Sequence, residues 1–203
     1  MREKIIHKSA EMFINLGFKS VTMDDIANEM GISKKTIYQH FANKTVLVQE
    51  TVMFVYHTIS SGIEEIRKHE KNPIDEIYEI KQFLMRNLNE EKSSPQYQLE
   101  KYYPKIFHDV KEKQMCVMDD CVHCNLSRGI NQGLFRDDIN IDFISKIYFN
   151  CMMLLKDKST FPLENFSMKM LMNNYLEYHL RGICTTKGLD YLNNYLQINQ
   201  NNN

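Results

Sequence analysis

The sequence predicts an all-α protein, in which a three-helix head is joined by a long helix to a larger helical domain. Three observations carry that expectation. Apolar residues recur at three- and four-residue spacing along most of the chain, the period of one helix face. The 203 residues include only 7 Gly and 4 Pro, so breakers are scarce. No stretch alternates apolar and polar residues long enough to suggest a sheet.

Each element is then legible from its stripe and its ends. From Lys4 to Leu16, Ile6, Ala10 and Phe13 share one face, and Gly17 supplies a stop. Thr22 followed by Asp25 has the Thr-x-x-Asp form of a capping box and opens a second helix to about Met30. Gly31 permits an abrupt turn and Ser33 caps a short third helix, Lys34 to about His40. Asn43 starts a long helix that ends before Asn72-Pro73.

Beyond Pro73 the pattern stays helical. It predicts Ile74–Leu88, an interruption at Glu90–Pro95, short elements at Tyr97–Tyr103 and Pro104–Val110, and then Gln114–Gly133. Further helices are expected at 141–155, 164–183 and 189–196. The domains expected are 1–46, 47–198 and a polar tail 199–203, the tail being too rich in Gln and Asn to offset its ordering entropy.

Composition limits the functions available. Lys and Arg total 25 against 26 Asp and Glu, a net charge of −1, so any nucleic-acid binding must come from a local cluster rather than from global charge. The amino terminus has no continuous apolar core and no stretch approaches a membrane span, which predicts a cytoplasmic protein with no membrane partner. Five cysteines, an odd number without a secretion signal, argue for reduced thiols. No nucleotide loop, nucleophile elbow or paired metal-binding histidines stand out, so neither an enzyme nor a cofactor is expected.

The informative segment is Thr22–His40. Ala27 is small enough for two helices to cross closely, Gly31 makes the turn, and Ile37 with Ile26 and Ile32 fills the wedge between them, the arrangement of a helix-turn-helix. Once Ile37 is committed inward, Lys34, Lys35, Thr36, Tyr38, Gln39 and His40 are left facing out. Such side chains can donate to phosphates. Gln39 can pair with adenine in the major groove, and Thr36 can meet a thymine methyl.

Residues 5–47, IIHKSAEMFINLGFKSVTMDDIANEMGISKKTIYQHFANKTVL, resemble the DNA-binding region of the tetracycline-repressor family. The likeness rests on Ala10, Phe13, Gly17, Thr22, Ile26-Ala27, Gly31, Ser33–Thr36, Tyr38, Phe41, Asn43-Lys44 and Leu47 at matching spacings. Later in the chain it rests only on helical content, length and the stretch Gly133–Asp137. The resemblance implies a ligand-responsive regulator of transcription, most often a repressor. Thr22, Ser33, Lys34, Lys35, Thr36, Tyr38, Gln39, His40 and Lys44 would then face a double-stranded operator, with Tyr38, His40 and Lys44 mainly on phosphates.

A short recognition helix reads few base pairs, so two copies about 34 Å apart are expected to act together. The candidates for a homodimer interface are Ile144, Ile147, Tyr148, Cys151, Met168, Leu171, Met172 and Tyr175. Met and aromatic residues over 74–183 suit a small apolar effector, and Phe83, Tyr102, Phe107, Met118 and Phe149 are the candidate lining; the same residue types also build ordinary cores. Cys116, Cys121, His123 and Cys124 invite a metal or redox reading, but Cys116 and Cys121 are five apart and His123 points about 100° from Cys124 on a helix. Packed structural cysteines are the better expectation there, with no metal site. The rival function is a DNA-bound interaction protein of the same fold that recruits or blocks a protein partner without a small effector.

Overall fold

The computed structural model describes residues 1–88, 95–162 and 164–200. Among them ten helices follow in order: α1 (Arg2–Leu16), α2 (Met23–Glu29), α3 (Lys34–Tyr38), α4 (Lys44–Arg67), α5 (Pro73–Leu88), α6 (Pro95–Tyr102), α7 (Pro104–Asn131), α8 (Ile141–Leu154), α9 (Met168–Ile183) and α10 (Thr186–Gln200). The fold is all-α. The single backbone bridge outside helices pairs Phe135 with Cys184 among the described residues.

The caps written in the sequence are made. The Thr22 hydroxyl accepts from the Asp25 amide while the Asp25 carboxylate accepts from the Thr22 amide, so both halves of the box are present. Ser33 accepts from the Thr36 amide, Asn43 from Val46 and Asn140 from Phe143. Each satisfies one of the orphan donors that a helix start leaves, a contribution of about 1 kcal/mol.

The largest differences from the sequence reading lie in α7, α9 and α10. The expected break between Val110 and Gln114 is absent, and α7 runs unbroken because Lys111-Glu112-Lys113 are good helix formers with no Pro or Gly among them. Helix α9 starts at Met168 rather than near 164, where the Ser167 hydroxyl accepts from the Met170 amide. Helix α10 extends from Thr186 to Gln200, beyond the expected 189–196 on both sides. The expected interruption at Glu90–Pro95 falls on residues 89–94, outside the described residues apart from Pro95, which opens α6. The tail residues 201–203 are likewise outside them.

The chain divides into two compact units, Met1–Ile63 with Leu84–Gln114, and Glu64–Phe83 with Met115–Asn203. The first therefore takes in α6 and the start of α7 as well as the three-helix head. Its core holds Phe13, Ile26, Ile37, Phe41 and Leu47, and Leu99, Ile106, Phe107 and Val110 join the same cluster. Burying each such side chain is worth roughly 1.5–3 kcal/mol. Phe107 thus packs into the core of this unit, while Tyr102 is exposed on its surface.

Gly17 ends α1 at φ +88, a region that L side chains rarely adopt, and an added Cβ would fall within 2.4 Å of the Gln98 side chain. Close approach is needed there because the Gln98 carboxamide oxygen accepts from the Lys19 amide at 2.9 Å. Gly31 turns the chain between α2 and α3 at φ +61.

In the second unit, Ile74, Leu126, Phe135, Leu176, Leu180 and Leu192 are fully buried. Glu76, only 1% exposed, is held by the Asn125 carboxamide at 2.8 Å and by the Arg128 guanidinium. Such partners replace the hydrogen bonds to water that a buried polar group gives up. The α7–α8 connection is pinned to the α9–α10 junction by the Arg136 amide on the Ile183 carbonyl and the Thr185 amide on the Leu134 carbonyl, each 2.9 Å.

Candidate nucleic-acid interface

Helix α3 commits one side chain, Ile37, wholly to the core and leaves the rest of its surface outside. Ser33, Lys34, Lys35, Tyr38, Gln39 and His40 are exposed, and Thr36 is half-buried. A helix of this length stays in place because its two ends are tied. At the start, the Ser33 hydroxyl takes the Thr36 amide and lies 2.9 Å from the Thr36 hydroxyl. At the end, the Phe41 amide returns to the Ile37 carbonyl, and the Phe41 ring is buried. The exposed side chains are therefore presented by a rigid backbone, the requirement for reading base edges.

The basic groups are not equivalent. Lys34 forms an ion pair with Asp24 at 2.6 Å, which holds its ammonium above the usual lysine range and attaches α3 to α2. Lys35 is exposed on the same helix. The half-buried Lys44 donates to the Phe18 carbonyl at 2.6 Å, and burial lowers its pKa. Its head group thus fastens the start of α4 to the loop after α1. A phosphate near this point would meet the free amides of the α4 amino terminus. The Thr22 hydroxyl is exposed, although it already serves the capping box.

That engagement of Lys44 has a consequence for stability. Lys44→Met keeps the aliphatic stem and removes a charge-assisted hydrogen bond, a change of about 1.5–3 kcal/mol. The thermal midpoint measured by circular dichroism without DNA should fall by several degrees. An unchanged midpoint would show that the Phe18 carbonyl does not depend on this ammonium.

The other candidates lie on other helices. In the second unit Phe149 is buried, and Phe83 and Met118 are half-buried. Of the residues picked for self-association, Leu171, Met172 and Tyr175 are buried, Ile144, Tyr148, Cys151 and Met168 are half-buried, and Ile147 is exposed. The apolar side chains standing out on these two helices are instead Phe143, Ile147 and Leu154 on α8, and Met170 and Tyr178 on α9. Of the residues expected from the sequence, Ile147 belongs to this outward set, whereas Leu171, Met172 and Tyr175 are turned inward. Spacings of four and seven on α8 and of eight on α9 keep the exposed set on one face, a signal available in the sequence.

Cys121 is buried, and its thiol is pushed up to about 11 by that burial, so it stays protonated and unreactive. Cys116 and Cys124 are exposed, and His123 lies 3.2 Å from Asp142. Among the described residues no three His, Cys, Asp or Glu side chains are grouped to hold a metal ion, and no helix is long and apolar enough to cross a membrane.

Residues 5–51 match the family model of bacterial regulatory proteins, tetR family. Residues 5–51 thus form a domain of the tetR-family type. Curated relatives of the tetR-family domain include the biofilm operon icaADBC negative transcriptional regulator IcaR of Staphylococcus aureus, 28% identical over 80 residues, which are 39% of this chain and 43% of the relative. They also include the nucleoid occlusion factor SlmA of Vibrio cholerae, 29% identical over 85 residues, 41% of this chain and 43% of the relative. The match thus spans less than half the length of either relative. Among solved structures, the Thermus thermophilus tetR-family repressor FadR in complex with lauroyl-CoA superposes with a TM-score of 0.59 at 16% identity, covering 90% of this chain and 94% of FadR. At that identity the likeness is one of fold, and it extends through the second unit.

Proposed function

We propose that this tetR-family regulator is a repressor that binds a pseudo-palindromic operator as a homodimer and lets go when a small apolar molecule enters its second unit. The observation that carries the reading is α3: one buried side chain, two capped ends, and an outward surface of Lys34, Lys35, Tyr38, Gln39 and His40. IcaR, a negative regulator by name, supports repression, and FadR with its acyl-CoA supports an apolar effector. Phe83, Met118 and Phe149 remain the candidate lining, all three within the second unit. The cytoplasm is the compartment that fits a DNA-binding regulator.

Self-association is supported by Phe143, Ile147, Leu154, Met170 and Tyr178, apolar side chains in water on two successive helices. Two such helices per protomer can close a four-helix interface about a two-fold axis. Doubling the recognition surface also supplies the specificity that α3 alone lacks.

Selection of duplexes from a random library tests the reading directly. The wild-type chain should enrich an inverted repeat, and Gln39→Ala should change the preferred base at one position per half-site by on the order of 1–3 kcal/mol while leaving nonspecific affinity intact. Failure to enrich any sequence would end the proposal. An identical ranking of sites by Gln39→Ala would remove Gln39 as a base reader.

A second reading is favoured by the match to SlmA: a DNA-bound protein that acts through a protein partner. Mass spectrometry under native conditions separates the two. A co-purifying apolar small molecule whose addition releases DNA supports the sensor, and DNA binding indifferent to every such molecule supports the partner-binding form.

A further inference from the structure

We propose that the loop after α1 and the end of α6 form a second DNA contact, in which Lys19 and Lys101 bind phosphates flanking the site read by α3. The proposal rests on the operator-binding reading above. It begins from a gathering of cations. The Lys19 ammonium stands 5.5 Å from the centre of the Tyr102 ring, and the Lys101 ammonium stands 5.7 Å from the same ring and 5.5 Å from Tyr97. Lys19, Lys101, Tyr97 and Tyr102 are all exposed. Among the described residues neither lysine is ion-paired with a carboxylate, although Glu100 is exposed on the same helix.

Two like charges drawn to one ring repel each other, and an anion between them relieves that repulsion. The macrodipole of α6 favours a lysine in its last turn, which accounts for Lys101 but not for Lys19 on a different element. Tyr102 is therefore a platform approached by ammonium groups from two elements, the loop after α1 and α6, with Lys101 also donating to the Tyr97 hydroxyl at 3.3 Å. The platform is fixed in place by the Gln98 carboxamide oxygen, which accepts from the Lys19 amide at 2.9 Å.

Continuity with the candidate interface makes duplex DNA the fitting occupant. Lys44, at the start of α4, donates to the Phe18 carbonyl at 2.6 Å, immediately before Lys19, and Thr22 lies three residues further on. The same loop thus joins the α2 and α4 amino termini to the Tyr102 platform. A phosphate backbone that passes Thr22 is a polyanion, and it continues beyond the bases that α3 reads.

The test uses the full chain and the duplex it selects, placed centrally in a short and a long DNA. The Lys19→Ala/Lys101→Ala double variant should show a salt dependence shallower by roughly two units for each protomer engaged. It should also lose the gain in affinity that longer flanks give the wild type, while its ranking of operator sequences stays the same. Tyr102→Leu, which retains both lysines but removes the ring, should lower the flank-dependent gain by a smaller factor. Circular dichroism confirms that each exposed substitution leaves the helices intact. An unchanged salt slope in the double variant, or a wild-type affinity indifferent to flank length, overturns the proposal. A wild type that selects no sequence refutes the operator-binding reading instead.

Discussion

A chain carrying both Ile147→Glu and Tyr178→Glu is expected to be a folded monomer whose operator affinity is lower by a factor on the order of 10²–10⁴. Both side chains face water within their own unit, Tyr178 being 77% and Ile147 43% exposed. Substitution at such positions changes the stability of a single chain by only about 0.5 kcal/mol. In a two-fold interface each carboxylate is buried against apolar side chains, and its desolvation costs several kcal/mol. The second half-site contact then loses its linkage to the first, which is the source of the steep fall in affinity. Light scattering reports mass, circular dichroism reports helix content, and titration with the selected duplex reports affinity. A variant that remains dimeric would place the interface on another surface. Leu171→Glu or Met172→Glu serves as the contrast, since both side chains are buried within the subunit and the expected result is loss of helix rather than a clean monomer.

Acid should destabilise the chain through His179, and the window is set by its burial. The imidazole is 8% exposed, lies 5.0 Å from the Tyr148 ring and 5.8 Å from the Tyr175 ring, and is pushed down to about 4 by desolvation of its charged form. Unfolded, it would titrate near 6.5. The unfolded chain therefore binds the proton more readily, and stability falls as pH drops from about 6.5 through 4. Above 6.5 the contribution is fully present. The difference corresponds to roughly 3 kcal/mol over that window, enough to consume a large share of a typical domain's stability. Denaturant midpoints measured from pH 7.5 to 4 should decline steeply in the wild type. His179→Phe, which keeps an aromatic ring among Tyr148 and Tyr175, should decline less. Parallel curves for the two chains would show that other groups cause the acid sensitivity.

Much of the candidate interface is legible in the sequence alone. Thr22 with Asp25, Gly31, Ser33 and Asn43 act through bonds spanning three or four residues or through a single backbone angle, so local sequence carries their whole meaning. The solvent-facing side of α3 followed from the same logic, since one apolar residue at its middle leaves the others outside. The lengths of α7 and α10 were less legible because polar helix formers such as Lys111-Glu112-Lys113 show no stripe, although nothing in them stops a helix.

By itself, then, the sequence determined an all-α chain with a helix-turn-helix at its head, because caps, turns and helical period are short-range properties. Tertiary structure decided which half of each later stripe is buried, placing Leu171 and Met172 inside and Ile147 and Tyr178 outside. It also decided that the Lys44 ammonium is held by the Phe18 carbonyl, 26 residues away, and that Lys19 and Lys101 share the Tyr102 ring. These outcomes depend on which surfaces distant segments present to one another, and a helical period gives the existence of an apolar face without naming what will cover it.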